Sequence, residues 1–267
     1  EVRDNGLPVR ATADKARGTF VLAAPPAGTL TVSVQGDRAT GYATTVAALV
    51  RRLATGYGKA GDRFADGDLD TANLAAFDAA HPQAVGLFLA GRTNVLNACQ
   101  MLASSLGAQL VMSRLGQLRL LQISLPPAGT PAAVGPQHMV AGSLAPVSRN
   151  APTASVKLGF SKNWTVQSGL QTGIPVQHKD LFETEWLTTT RSDAGVQADY
   201  RLDAEPVQQD TMLLRRVDAE AEATRRLTIS RVPRTAYEFD GTAEMLALEL
   251  GQAVTVTHPR FGMENGV

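Results

Sequence analysis

The sequence has little cysteine and no long apolar run, so it lacks the features of disulfide-rich proteins, of proteins that bind metal through several cysteines, and of membrane-spanning proteins. Cys99 is the single cysteine, so the chain can form neither an internal disulfide framework nor a multi-cysteine metal cluster. No apolar run approaches the roughly 20 residues that cross a bilayer, and no basic-then-apolar signal peptide opens the chain. Because the chain begins at Glu1 and not at Met, the missing signal peptide carries no conclusion about a parent protein.

The charge balance and the aromatic content exclude further classes. The chain has 267 residues, with 25 basic and 25 acidic side chains and a formal net charge of zero. This balance argues against a general nucleic-acid binder and against a polybasic membrane-surface protein. With an aromatic content of 5%, the chain has too few aromatic side chains to form a stacking platform for single-stranded nucleic acid. The length allows one large domain or two ordinary ones.

The first forty residues predict β-structure. Two runs with β-branched and aromatic residues, 18–24 and 29–35, flank the proline- and glycine-containing segment 25–28. We therefore expect these two runs to pair as a hairpin. The turn residues Asp4, Asn5 and Gly6 predict a second hairpin before it.

The hydrophobic period changes after Gly41 and predicts a helical unit. Apolar spacing over residues 46–53 predicts one helix, which Thr44 or Thr45 caps and Gly56 ends. Spacing and capping residues also predict a second helix over residues 70–80 with Asp70 as N-cap, and a third that begins at Thr93 or Asn94. We expect a short buried strand at 85–90 and a hairpin formed by 109–112 and 118–123. This order of elements predicts an α+β domain over residues 41–125.

Residues 126–152 are rich in Pro, Gly and Ala, which predicts a linker with one short strand near 138–140. An amphipathic pattern predicts a helix at about 210–230. The remaining expected strands are 154–160, 164–166, 182–188, 235–239 and 253–257.

Two short motifs resemble ligand sites, and their contexts argue against that function. Residues 56–61 match G-x-G-x-x-G, but a predicted helix precedes the motif where a dinucleotide site needs a strand. Asp66, Asp68 and Asp70 alternate as in a calcium loop, but Thr71 and Phe77 stand where an EF-hand needs glycine and a carboxylate. A helix-exit loop and an acidic helix N-terminus explain these residues better.

The remaining chemistry-bearing residues form no recognisable catalytic pattern. The four histidines, His81, His138, His178 and His258, lack metal-ligand spacing. Cys99 falls on the apolar stripe of its predicted helix, which indicates a buried small hydrophobe and not a nucleophile. Glu183 and Glu185 would share one face of a strand, and a solvated face has the same pattern. We therefore assign no catalytic, cofactor-binding or metal-binding residue.

Five segments without catalytic residues follow one another along most of the chain: 25–36, 45–77, 94–107 with 115–120, 156–166 and 250–262. Taken in this order, they resemble the baseplate-hub and tail-tip proteins of tailed phages. The resemblance rests on the order of the segments and not on any one of them.

The resemblance implies a fold and a role. The fold class would be α+β, mostly β, with tube-like β-barrel domains and a small inserted α/β domain. Residues 1–40 would form the hairpin portion of a first barrel, 41–125 the inserted domain, and 126–267 a second barrel with the helix at 210–230 beside it. The chain would be a structural protein of the virion tail, made in the bacterial cytoplasm, and not an enzyme.

The resemblance also implies partners. Three copies would form a ring that continues the tail tube and contacts tube, distal tail, and tip or fibre proteins. No cofactor, sequence-specific nucleic-acid binding or stable membrane insertion is expected. Exposed strand edges supply a physical reason for such assembly, since they must be paired or protected.

Three alternatives remain open at this point. Trp164, Trp186 and Tyr200 could form a receptor- or glycan-binding face, although aromatic side chains more often serve core packing. A cell-wall hydrolase would need two close carboxylates in a cleft, which the sequence does not single out. A hub from a secretion spike or a prophage-derived particle would share the same sequence features.

Overall fold

A computed structural model describes residues 1–36, 38, 41–125 and 129–267 and shows a mixed α+β protein. The described residues form six α-helices: α1 (Val46–Gly56), α2 (Thr71–Ala80), α3 (Val95–Ser104), α4 (Val176–Glu183), α5 (Ala194–Tyr200) and α6 (Arg216–Ser230). They also form 14 strands: β1 (Val2–Asp4), β2 (Leu7–Pro8), β3 (Ala11–Asp14), β4 (Thr19–Leu22), β5 (Leu30–Val32), β6 (Ala108–Met112), β7 (Leu118–Gln122), β8 (Ala132–Val134), β9 (Ala145–Asn150), β10 (Ser155–Phe160), β11 (Leu187–Ser192), β12 (Gln208–Asp210), β13 (Arg234–Glu238) and β14 (Val254–Val256).

The N-terminal strands pair differently from the expectation. β5 pairs with β1, and β4 pairs with β3, so the predicted hairpin of 18–24 with 29–35 is wrong. The earlier turn is confirmed: Asn5 and Gly6 have φ values of 45° and 87°, which suit the tight β1–β2 hairpin. The buried Asp4 carboxylate accepts hydrogen bonds from the Ala27 and Gly28 amides at 2.6 and 2.8 Å. These bonds hold segment 25–28 against β1 and direct β5 to that strand.

The predicted helical unit is confirmed in its helices and hairpin. Asp70 caps α2 by accepting the Asn73 amide at 2.9 Å, and Asn94 caps α3 by accepting the Leu96 amide at 2.8 Å. β6 and β7 pair in the expected antiparallel register. The strand expected at 85–90 is wrong, because only Val85 forms a β-bridge, and Phe88 and Leu89 are exposed.

A second layer is the three-stranded sheet of order β11-β10-β12, with α6 across one face. Val156 and Leu158 of β10 pack against Ala223 and Leu227 of α6. The helix expected at 210–230 begins later than predicted, because residues 208–210 extend as β12 alongside β10. The strand expected at 164–166 is absent from the described structure, and the first part of the strand expected at 182–188 belongs to α4.

The C-terminal strands form two small separate sheets. β14 pairs with β8 in parallel, and β13 pairs with β9 in antiparallel orientation. Thus the predicted linker 126–152 contains two strands in its described part, while residues 126–128 lie outside the described residues. A small core of Val134, Met139, Leu144 and Met263 lies beneath these sheets. None of the sheets that the structure describes closes on itself as a barrel.

The main hydrophobic core joins the helical unit to the sheet that follows it. Val50, Cys99 and Leu102 from the helices pack in one cluster with Phe160 and Leu213. The backbone of 211–214 lies between the two layers: the Gly86 amide donates to Met212, and the Ser161 amide donates to Leu213. No described helix combines the length and apolar character that a transmembrane segment requires.

Candidate assembly surface

The two ligand-like motifs have structural roles. The G-x-G-x-x-G segment leaves the C-terminus of α1, and Gly58 adopts a positive φ of 92° there. Asp66 binds the Arg51 guanidinium at 2.9 Å, and this ion pair lowers the pKa of the Asp66 carboxyl. Asp68 accepts the Ala65 amide, and Asp70 caps α2. Each of these carboxylates is therefore satisfied within the chain.

The histidines and the cysteine are dispersed. His81 is half-buried, which lowers its pKa, and its ring packs against Phe77 in a tilted arrangement, with 4.6 Å between the ring centroids. His138 and His258 accept backbone amides of their own turns, and His178 lies on the exposed face of α4. Cys99 is fully buried, as predicted, and burial raises the pKa of its thiol to about 11. In the described ranges no group of three His, Cys, Asp or Glu side chains is placed to hold a metal ion.

The acidic residues form ion pairs and caps. Glu183 lies on α4 and not on the expected strand, so it does not share a strand face with Glu185. Where a carboxyl pKa shifts, it shifts downward: Asp193 because backbone amides of α5 donate to it, and Glu205 because Lys157 donates at 2.8 Å. A general acid in a hydrolase needs a shift in the opposite direction.

Glu222 is the centre of a buried ionic cluster. Its carboxylate accepts from the Nε of Arg225 and from the Nε of Arg226, both at 2.7 Å. The same guanidinium groups donate to the carbonyl oxygens of Leu106 and Ser104, at the C-terminus of α3. The cluster therefore caps α3 and attaches it to α6, which is a structural role.

The predicted aromatic face is partly assembled. The Lys162 ammonium lies 4.5 Å from the Trp164 ring centroid and 4.9 Å from that of Trp186. This cation covers one face of each indole, which is the surface that a sugar ring would use. Tyr200 ends α5 and makes no ring contact with either tryptophan in the described structure.

A two-stranded arm, residues 11–22, is exposed along nearly its whole length. Every residue from 11 to 21 is exposed. In the described part of the chain, the hydrogen bonds and ion pairs of these residues stay inside the arm. Cross-strand pairing places Ala11 opposite Leu22 and Ala13 opposite Phe20, so these four side chains form one apolar face. An isolated two-stranded hairpin of this kind is marginally stable in water.

A groove with an exposed apolar rim lies between the β6–β7 turn and residues 239–250; we call it the hairpin groove. Its volume is about 460 Å³, and Met112, Phe239, Met245, Leu248 and Leu250 are among its lining residues. Arg114 spans it by donating to the carbonyl oxygens of Met245 and Leu246. Four apolar side chains at or beside it are largely exposed: Met112 at 49%, Leu115 at 85%, Leu246 at 71% and Leu250 at 56%.

The sequence pattern predicts neither the arm nor the hairpin groove. One signal was present, because Leu115 occupies a tight turn beside Gly116, where polar residues are usual. The other apolar residues stand in segments that read as ordinary strands or loops. Only the tertiary structure shows that they remain uncovered.

The β9–β13 ribbon is a third exposed feature. All of its residues are exposed, including Val147 at 56% and Tyr237 at 36%. Pro146 lies in β9 and a bulge interrupts the ladder between Ala236 and Tyr237, which are two features that protect an edge. The outer edge of β13 contains no proline and is the less protected of the two.

The solvent-accessible surface area of the chain is large for its mass. The chain exposes 16,323 Å², whereas a folded monomer of 28.2 kDa exposes about 11,000 Å² on average. The excess, about 5,000 Å², exceeds the ~800 Å² per partner of a standard interface several times over. A single copy of the chain therefore exposes more surface than an average compact monomer of the same mass.

Comparisons with known proteins do not assign the chain to a family. No family model matches it, and no curated protein matches its sequence. The functional conclusion therefore rests on the exposed surfaces and on the sequence features.

Proposed function

We propose that the chain is a structural subunit of a phage or prophage-derived tail, in a hub or tip ring that continues the tail tube and carries tip or fibre proteins. The observation that carries the proposal is the excess surface of about 5,000 Å², because an assembly subunit exposes when alone the area that its neighbours cover. The resemblance of ordered sequence segments to baseplate-hub proteins supports the same role.

The tube-like barrel belongs to this proposal. The small sheets of the C-terminal half have free outer strands, and the β13 edge lacks the proline that protects β9. In a ring, such edges pair with or lie against strands of the next copy, so that the wall of the conduit closes across subunits. Three copies around one axis form the expected homotrimer.

The alternatives have less support. The Lys162 ammonium occupies one face of each indole, which reduces the flat surface that a glycan-binding site would offer. The downward carboxyl pKa shifts of Asp66, Asp193 and Glu205 are those of ion pairs and caps, which a hydrolase site does not require.

Light scattering coupled to size exclusion tests the proposal on the purified full chain. We expect a concentration-dependent trimer, and negative-stain electron microscopy should show rings with a central opening. Co-sedimentation with tail tubes assembled from a host that carries the tail genes tests the location. A chain that is monomeric up to high micromolar concentration and never sediments with tails contradicts the proposal.

A further inference from the structure

We propose that the arm of one copy, residues 11–22, docks into the hairpin groove of the next copy and holds the ring together. This inference rests on the proposed function and deepens it, because it names the two surfaces that meet. The occupant of the groove is thus a second copy of this chain.

Both the arm and the groove expose apolar surface to solvent in the single chain. The arm offers the face formed by Ala11, Ala13, Phe20 and Leu22. The groove, of about 460 Å³, has room for side chains from such a face and is bordered by exposed methionine and leucine. Phe20 exposes 36% of its surface in the single chain, so docking can bury about a third of the roughly 150–250 Å² that a fully buried aromatic side chain removes from water. Docking therefore removes from water the two apolar surfaces that the single chain leaves exposed.

The charges of the two surfaces are complementary. Within the arm, Lys15 and Arg17 stand against one acidic side chain, Asp14, which pairs with Arg17, and Arg10 directly precedes the arm. Residues 238–250 contain four acidic side chains, and the groove contains one cation, Arg114, which donates to carbonyl oxygens of the same segment. Opposite charges of this kind orient two surfaces during encounter and disfavour pairing of like with like, arm with arm or groove with groove.

The symmetry follows from the use of two different surfaces. A contact between an arm and a groove is heterologous, so each subunit donates one arm and accepts another. Such contacts generate a closed ring when the rotation per subunit divides a full turn. A two-fold dimer uses one self-complementary patch instead. The inferred contact therefore favours the ring that the proposed function requires.

Disulfide cross-linking between two singly substituted chains tests the contact. One chain carries Ala13→Cys on the arm, and the other carries Leu250→Cys in the groove. The native Cys99 is fully buried and does not interfere. Mixed under mild oxidation, with one chain enlarged by a tag, the two should form a heterodimer on a non-reducing gel. The matched control replaces Leu250→Cys with Val207→Cys, which is 87% exposed and lies outside the groove.

Charge reversal provides a second measurement. Lys15→Glu in the arm and Glu249→Lys in the groove should each weaken association by about fivefold or more, and both together should restore much of it. Lys179→Glu, on the exposed face of α4, is the control and should leave association unchanged.

The outcomes separate this inference from the proposed function. The wild-type chain could form rings while the Ala13→Cys and Leu250→Cys chains cross-link no more than the control pair. That result would leave the proposed function standing and overturn the arm contact. Single charge reversals that behave like Lys179→Glu also overturn it. A wild-type chain that stays monomeric at every concentration overturns the contact and the proposed function together. Cross-linking with rescue by the double reversal supports the contact.

Discussion

Replacing Glu222 with glutamine removes the negative charge at the centre of the link between α6 and α3. The carboxylate is 4% exposed and lies within 2.7 Å of the Nε atoms of both Arg225 and Arg226. These guanidinium groups in turn donate to the carbonyl oxygens at the end of α3. Glutamine keeps the volume of the side chain, so the substitution tests charge and hydrogen bonding with little change in packing.

The expected cost follows from the burial of the group. Breaking a fully buried ion pair costs about 3–5 kcal/mol, since it leaves an uncompensated charge. The side chains of Arg225 and Arg226 are 25% and 17% exposed, so water can solvate part of their charge. We therefore expect the free energy of unfolding to fall by about 2–3 kcal/mol.

Urea denaturation followed by circular dichroism measures this change. The midpoint should fall and the slope should stay constant, because the surface exposed on unfolding is unchanged. The matched control is Glu220→Gln on the same helix, which breaks an exposed pair with Arg191 and should cost less than about 1 kcal/mol. If Glu222→Gln costs no more than Glu220→Gln, the cluster does not hold α3 to α6 and the reasoning is wrong.

Three further predictions concern single residues. The Cys99 thiol, with a pKa of about 11, should react with a thiol reagent at pH 8 only after the chain is unfolded, and rapid labelling of the native chain would show that it is accessible. Burial lowers the pKa of His81, which lies beside Arg225, Glu222 and Asp78. Because the unfolded state then binds more protons than the folded state, the free energy of unfolding should fall as the pH drops below about 6.5. In urea titrations, His81→Asn should flatten this pH dependence. Gly6→Ala should destabilise the N-terminal sheet by more than about 1–2 kcal/mol, because Gly6 has a φ of 87° and a Cβ there would lie 2.5 Å from Ile174. Gly18→Ala has a similar φ of 65° but open space around it, so an equal loss in the two variants would show that the contact with Ile174 does not matter.

Local signals were sufficient where a structural element depends on neighbouring residues. Asp70 and Asn94 predict helix starts because a side-chain oxygen satisfies an amide only two or three positions away. The stripe that contains Cys99 and Leu102 predicts the buried face of α3 by its period. The turn at Asn5 and Gly6 is local in the same sense.

The errors of the sequence analysis arose where the partner of a strand is distant. β5 pairs with β1 and not with its nearest neighbour, because Asp4 holds the intervening segment by two amide hydrogen bonds. Segment 182–188 has the β-propensity of a strand, yet its first residues complete α4. Strand propensity depends on packing partners, which the local sequence does not contain.

Composition and short-range spacing were enough to predict the α+β class, the helices α1, α2 and α3, the caps of α2 and α3, the burial of Cys99 and the lack of a recognisable catalytic motif. These depend on composition and on contacts within a few residues. Helices α4 and α5 were not predicted. Only the tertiary structure decided the strand pairing, the ionic cluster around Glu222, and the exposure of the arm and the hairpin groove. The physical reason is that burial and pairing are properties of the whole fold: an apolar side chain such as Leu115 or Phe20 is exposed only because no distant segment covers it.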